Sequence, residues 1–288
     1  MNLDNLKSRR FEATRQTYDW RDSAYYALAL GMGSDPLDED ELLYVYEGRE
    51  QRAVPSQCVT LAWLPIWQDD PAAGLQWMRI LHGEQSFQLH RPVPTHGSVY
   101  ADHRVVAVED KGAGRGALIH VTSELHDEAD GSLLATLQSV QFARDDGGAG
   151  SFGHGTPPLA PLPTHLTPSA SIEYRTIPQA ALIYRLASRD YMSIHVDPAA
   201  AKRAGFERPI SHGLNTLGVG CRAVLKHAAA GRPELLKSLS VRFVSPGQPG
   251  DTIRVDLFDD GDRVRFRATA LERDVLLLDR GECTLAQR

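Results

Sequence analysis

The sequence is short of most features that would assign a chain at a glance. Only three cysteines occur in 288 residues, Cys58, Cys221 and Cys283. An odd number at such wide spacing argues against a disulfide framework or a cysteine-based zinc site. Cys221, inside an apolar helical stretch, reads as a core filler. No apolar run approaches the roughly 20 residues that cross a bilayer, and residues 1–10 lack the apolar core of a secretion signal. The final four residues, LAQR, form no obvious peroxisomal address, so a reducing cytoplasm is the expected compartment. Positive charge is scarce too: 31 Lys and Arg stand against 37 Asp and Glu, a formal net charge of −6. The longest basic cluster, residues 7–10 (KSRR), reads as a solvated surface and not as a nucleic-acid footprint. No Gly-x-Gly-x-x-Gly follows a strand and no His-Glu-x-x-His sits on a helix, so neither a nicotinamide cofactor nor that type of metal centre is implied. No cofactor, nucleic acid or membrane is expected as a partner.

What is present is ordinary globular composition, 42% hydrophobic and 24% charged, at a length that suits about two domains. Residues 22–30 (DSAYYALAL) predict a helix capped by Asp22 or Ser23 and stopped at Gly31 and Gly33. Residues 54–65, bounded by prolines, read as a buried helix. From residue 81 onward the pattern turns to strands: 99–108, 117–125 and 133–143, separated by turn signals. Residues 145–168 are dominated by Gly and Pro, hold no regular element, and read as a linker laid over the surface. The second half repeats the order. A helix over 176–187 has Thr176 and Gln179 at capping-box spacing, with Leu182, Ile183 and Leu186 as its apolar face. A second helix covers about 211–226, with Leu214, Leu217, Cys221, Val224 and Leu225 along one side. Gly218 and Gly220 permit close approach on another. Strands follow at 239–244, 252–258, 264–268, 275–279 and 282–285. The reading is an α+β chain of two tandem repeats, each an antiparallel sheet around a central helix. Residues 1–148 form the first, 149–170 the linker and 171–288 the second.

One stretch carries chemistry. In residues 188–218 an acid and an imidazole, Asp190 and His195, lie five apart. A Pro- and Gly-containing turn then leads into a helix through His212 and Gly213. This places a proton-transfer pair near a helix N-terminus, the layout that activates water beside a carbonyl whose oxygen gains charge. A glycine suits the helix start because a side chain would block close approach. His195, Asp197 and His212 have some metal-ligand character, but no further cluster has convincing spacing, and a metal is not expected. Taken singly, Asp190 reads more readily as a turn or helix-end residue and His195 as a hydrogen-bonded core histidine; the catalytic reading rests on their combination with the His212–Gly213 helix entry.

Several motifs together resemble the MaoC-like, type 2 (R-specific) enoyl-CoA hydratases, in their two-repeat "double hotdog" form. In the first half they are residues 25–28 (YYAL), 44–48 (YVYEG), 81–85 (LHGEQ) and 91–94 (RPVP). In the second they are Asp190, His195, Asp197, Pro198, 204–206 (AGF), Pro209, 212–214 (HGL), Thr216, Arg242, Phe243 and 249–251 (PGD). The resemblance implies a hotdog in each half and one active site per chain. Asp190 and His195 are its catalytic pair and Gly213 its oxyanion donor. The substrate is a coenzyme A thioester, and a homodimer is common in the family. The first half, with no Asp-x4-His pair, gives up catalysis and accommodates a bulky acyl chain. His82, Gly83 and Gln85 would touch the pantetheine arm and Arg242 a CoA phosphate; a strand start and a surface ion pair are equally good readings of them. His212 reads as a packing or capping residue at the substrate site. The family pattern Gly-Asp-x-Asn-Pro-x-His is broken by Arg189, Met192 and Ser193. Methionine offers no hydrogen bond comparable to that of the asparagine, which implies either a different substrate, with Met192 lining an apolar acyl site, or a weakened enzyme. A thioesterase on the same fold, or a non-catalytic acyl-CoA-binding module, are the alternatives.

Overall fold

The computed structural model describes residues 1–286. Gln287 and Arg288, the end of the stretch read for a targeting signal, lie outside the described residues. Six helices, α1 (Leu3–Ser8), α2 (Trp20–Ala29), α3 (Glu39–Val45), α4 (Ala180–Ser188), α5 (Pro198–Arg203) and α6 (Gly213–Ala228), accompany eleven strands. The strands are β1 (Thr14–Tyr18), β2 (Ile80–Leu89), β3 (Gly97–Asp110), β4 (Ala117–Asp127), β5 (Leu133–Ala143), β6 (Phe152–Gly153), β7 (Ala170–Arg175), β8 (Leu236–Phe243), β9 (Thr252–Asp260), β10 (Arg263–Ala270) and β11 (Val275–Leu285).

All strands join one sheet in the order β1-β3-β4-β5-β2-β8-β11-β10-β9-β7, with β6 paired to β3. Numbered within its own half, each side of this path reads 1-3-4-5-2. The two halves meet where β2 pairs antiparallel with β8, from Glu84 opposite Arg242 to Gln88 opposite Ser238. The duplication is written in topology, which survives after side-chain identity has drifted.

The halves differ in what fills the sheet. In the second, α6 runs through the core with Leu217, Cys221, Val224 and Leu225 buried. Its glycines do what the sequence implies. A Cβ at Gly218 would sit 2.4 Å from Leu30 Cδ2, and one at Gly220 2.7 Å from Phe266 Cε2, so the helix backbone is pressed between the first half and the second sheet. In the first half the expected buried helix over 54–65 is one 3-10 turn, Pro55–Val59. All five of its residues are buried. Its short apolar run lacks helical periodicity, and Ala62 follows at φ 46°.

Other expectations also shift. The α2 cap is Asp19, whose Oδ1 accepts the N–H of Arg21 at 2.7 Å while Asp22 Oδ2 accepts the N–H of Asp19 at 2.8 Å; Asp22 is the box partner instead. Thr176 caps nothing: its hydroxyl donates to the Asp251 carbonyl at 2.8 Å, and α4 starts at Ala180. On α4 the Leu182 and Leu186 side is exposed, and the helix buries Ala180, Ala181, Tyr184, Ala187 and Ser188. Ala180, Ala181, Ala187 and Ser188 leave room for α4 to lie against α2, where Tyr184 meets Tyr26 with ring centroids 5.7 Å apart, and this tertiary contact overrides the hydrophobicity pattern. The two final strands are one, β11, interrupted by a bulge at Arg280 (φ 54°) and Gly281. Within the stretch read as structureless, β6 makes a two-residue strand, and beyond it Ala160 and Pro161 carbonyls accept from Arg265 and the Leu159 carbonyl from Arg280.

Candidate active site

The loop between α4 and α6 is held by its own backbone. α4 ends on Arg189 in the left-handed region (φ 58°), which costs a non-glycine residue about 1–2 kcal/mol. Arg189 is anchored by a bond from its guanidinium to the Thr17 carbonyl at 3.0 Å. The turn aims Asp190 back inward, where its Oδ1 accepts the Met192 N–H at 3.1 Å. A 3-10 turn, Ser193–His195, then buries the His195 ring. Asp197 caps α5, its Oδ1 accepting from Ala199 N at 2.8 Å, and so fixes the turn without pointing a ligand at the site. The chain returns through Ile210, and Ser211 is pinned by its N–H to the Gly247 carbonyl at 2.8 Å. His212 is the N-cap residue of α6, and Gly213 opens the helix facing solvent.

Asp190, His195 and His212 converge, one ligand-type atom of each lying within 4.8 Å of the others. His195 Nδ1 lies 2.9 Å from the Ile210 carbonyl. A ring nitrogen facing a carbonyl oxygen must carry the proton, so Nε2 keeps its lone pair. His212 Nε2 lies 3.3 Å from the main-chain carbonyl of Asp190, which fixes the Nε2–H tautomer there. The two rings stack, centroids 3.7 Å apart and 27° from parallel. Burial lowers the His195 pKa, opposed by the Asp190 carboxylate. Burial, reinforced by His195, pushes His212 down to about 3. Both imidazoles are therefore neutral near pH 7, and His195 keeps a free base nitrogen in a cluster that includes the Asp190 carboxylate. The set is the one candidate metal cluster among the described residues. Stacked rings, however, hold their lone pairs in near-parallel planes 3.7 Å apart. Imidazoles that share a metal aim their lone pairs at one common point, an arrangement that stacked rings suit poorly.

The remaining residues read from the sequence are placed unequally. Met192 is half-buried in the turn between Asp190 and His195, and Ser193 is exposed. His82 is exposed on β2, its ring 4.7 Å from Phe243, and Phe243 in turn lies 3.3 Å from where a Gly213 Cβ would stand. His82 thus borders the start of α6. Gln85 is buried, with its amide spent on His82 Nε2 (3.1 Å) and the Ser86 carbonyl (3.1 Å). Gly83 sits at a bulge in β2, a Cβ there 3.1 Å from the Val140 carbonyl, so a backbone reason accounts for it. Arg242 is exposed opposite Glu84 on the junction strands. The sequence reading missed Phe243 as a neighbour of Gly213, Tyr184, whose ring lies 4.9 Å from His212, and the Ile210 carbonyl. A backbone acceptor leaves no mark in residue identity.

The fold is that of a double hotdog protein, with the Asp190–His195 pair in its second repeat. Residues 16–145 match the family described as "MFE-2 hydratase 2 N-terminal domain", and residues 151–279 that described as "MaoC like domain". The chain is 34% identical to a protein of Arabidopsis thaliana named "Enoyl-CoA hydratase 2, peroxisomal", over 96% of this chain and 93% of that one. It is 36% identical to "Peroxisomal multifunctional enzyme type 2" of Drosophila melanogaster, over 94% of this chain and 46% of that protein. The crystal structure of a MaoC-like dehydratase from Phytophthora capsici superposes with a TM-score of 0.87 at 32% identity, covering 100% of both chains. The chain belongs to the enoyl-CoA hydratase 2 family of MaoC-like dehydratases, hydro-lyases on the double hotdog fold.

Proposed function

We propose that the protein catalyses the reversible hydration of trans-2-enoyl-CoA to (R)-3-hydroxyacyl-CoA. The observation that carries this is the Asp190–His195 pair beside the first turn of α6. A separation of up to 4.8 Å is a span one water oxygen bridges by hydrogen bonds to both groups. Asp190 accepts one O–H of that water and His195 Nε2 the other. The water oxygen bonds to C3 as the C2–C3 π bond opens, His195 takes the proton the oxygen loses, and the pair returns a proton to C2. Between these events the thioester oxygen carries enolate charge. Gly213 N–H, unpaired at the start of a 16-residue helix, is the donor for it, aided by the positive end of the helix dipole. No metal or other cofactor enters the scheme. Asp190, His195 and Gly213 are the groups that touch the reacting atoms.

A bulky or long acyl chain, as in fatty-acid or sterol side-chain oxidation, is the preferred substrate. Two features support it: an apolar, half-buried Met192 between the catalytic pair, and a first half whose central helix is reduced to one turn. His82, beside Phe243 at the α6 start, is proposed to border the pantetheine arm, and exposed Arg242 to meet a CoA phosphate. A homodimer in a reducing cytoplasm completes the reading. The three cysteines are buried free thiols, and among the described residues no helix is long and apolar enough to cross a membrane. The test is loss of enoyl-thioester absorbance over a panel from crotonyl-CoA to a steroid enoyl-CoA, with a thiol trap in parallel. Faster turnover of bulky members without CoA release is expected. Turnover confined to crotonyl-CoA sinks the chain-length preference; CoA release from saturated esters points to thioester hydrolysis instead.

A further inference from the structure

His212 has no role in the scheme above, yet it touches each part of it. Its ring stacks on His195 at 3.7 Å. Its Nε2–H faces the Asp190 carbonyl at 3.3 Å. Its own residue precedes Gly213 as the N-cap of α6, without capping the helix through its side chain. Only 2% of it is exposed, and its Nδ1 is buried with no hydrogen-bond partner, so nothing competes for the ring's orientation. We infer that His212 is a positioning residue that fixes the separation of Asp190 and His195 and ties both to the oxyanion end of α6, and is not a substrate ligand. This rests on the hydratase reading.

The geometry needs the ring neutral and in one tautomer. The charged or titratable groups facing it are His195 from the 3-10 turn, Asp190 from the turn before it, and Tyr184 and Arg185 from α4. A cation stacked on His195 would repel the proton that His195 takes up in catalysis. Burial keeps His212 uncharged through the working range, and the Asp190 carbonyl selects Nε2–H. The unpartnered Nδ1 is the polar cost of a ring placed for its shape and one N–H.

Two variants separate the two contacts. His212→Phe keeps the stack and loses the N–H. It is expected to lower kcat about 10- to 100-fold, as a misplacement near 1 Å does, with KM within about threefold and the acid limb of the pH profile unmoved. His212→Gln keeps an N–H within reach of Asp190 and loses the stack. It is expected to retain more kcat and to move the acid limb up, because water reaches His195. A raised KM at unchanged kcat in either variant would make His212 a substrate ligand. Wild-type rates and profiles in both would make it a filler. A third measurement needs neither variant folding nor turnover: ¹⁵N NMR of the imidazoles in the wild-type protein. Neutral His212 with Nε2–H at pH 5 is expected; a charged ring there, or the Nδ1–H tautomer, overturns the inference while leaving the hydratase reading untouched.

Discussion

Breaking the ion pair between Arg222 and Glu41 is expected to cost about 3–5 kcal/mol. Arg222 is on α6 in the second half and Glu41 on α3 in the first, both buried. The contact is bidentate, Nε to Oε1 at 2.5 Å and Nη2 to Oε2 at 2.7 Å. Arg222 Nη1 also donates to the Leu30 carbonyl at 3.0 Å, and its guanidinium lies 4.1 Å over the Tyr174 ring. Glu41 accepts a further bond from Gly33 N at 3.0 Å. Arg222→Met leaves a buried carboxylate and an orphaned carbonyl; Glu41→Gln leaves a buried guanidinium facing a neutral group. Removing both charges, as in Arg222→Met with Glu41→Leu, takes away the desolvation penalty with the attraction. That double variant should recover most of the loss. Urea unfolding followed by circular dichroism measures this, and in melting the single variants should lose about 10 °C. Single variants within about 1 kcal/mol of wild type, the range of exposed pairs, would show that the pair does not act as a buried one. So would a double variant as unstable as the sum of the two.

Acid should destabilise the fold earlier than carboxylates alone would make it. Burial holds His103 down to about 4 and His212 down to about 3, and lowers His120 and His195. The unfolded chain binds more protons than the folded one as pH falls from about 6.5, so each such histidine removes about 1.4 kcal/mol per pH unit down to its folded value. Urea midpoints equal at pH 7.5 and pH 5 would contradict this. Arg189→Gly should raise the melting temperature, because relief of the left-handed φ, worth about 1 kcal/mol, exceeds one exposed bond to Thr17; a lower melting temperature would show the bond dominating. Met192→Asn should speed hydration of crotonyl-CoA relative to bulky esters, read as the ratio of kcat/KM values; an unchanged ratio removes Met192 from substrate choice.

How far the sequence was legible follows from what each element depends on. Strand β5 was readable to the residue, 133–143, because a run of strand-forming side chains bounded by turn signals is a local pattern. The α6 helix was readable from the Leu217, Cys221 and Val224 row, and its glycines from their cost. The apolar face of α4 was misread because α2, far away in the chain, accepts the small side and leaves Leu182 and Leu186 outside. Half one's missing central helix was equally hidden, since a short apolar run between prolines fits one buried turn as well as a helix. At the site, Asp190, His195 and Gly213 stood out by type and spacing. The His195–His212 stack and the carbonyls that set both tautomers did not, because they arise where two loops meet.

The measurement that bears most directly on the account is enoyl-CoA hydration by the wild-type chain beside Asp190→Asn and His195→Gln, with folding checked by circular dichroism. Turnover is expected in the wild type, with a loss of at least about 100-fold in each variant, the scale of a proton-transfer group. Folded variants that hydrate the ester at the wild-type rate would contradict it.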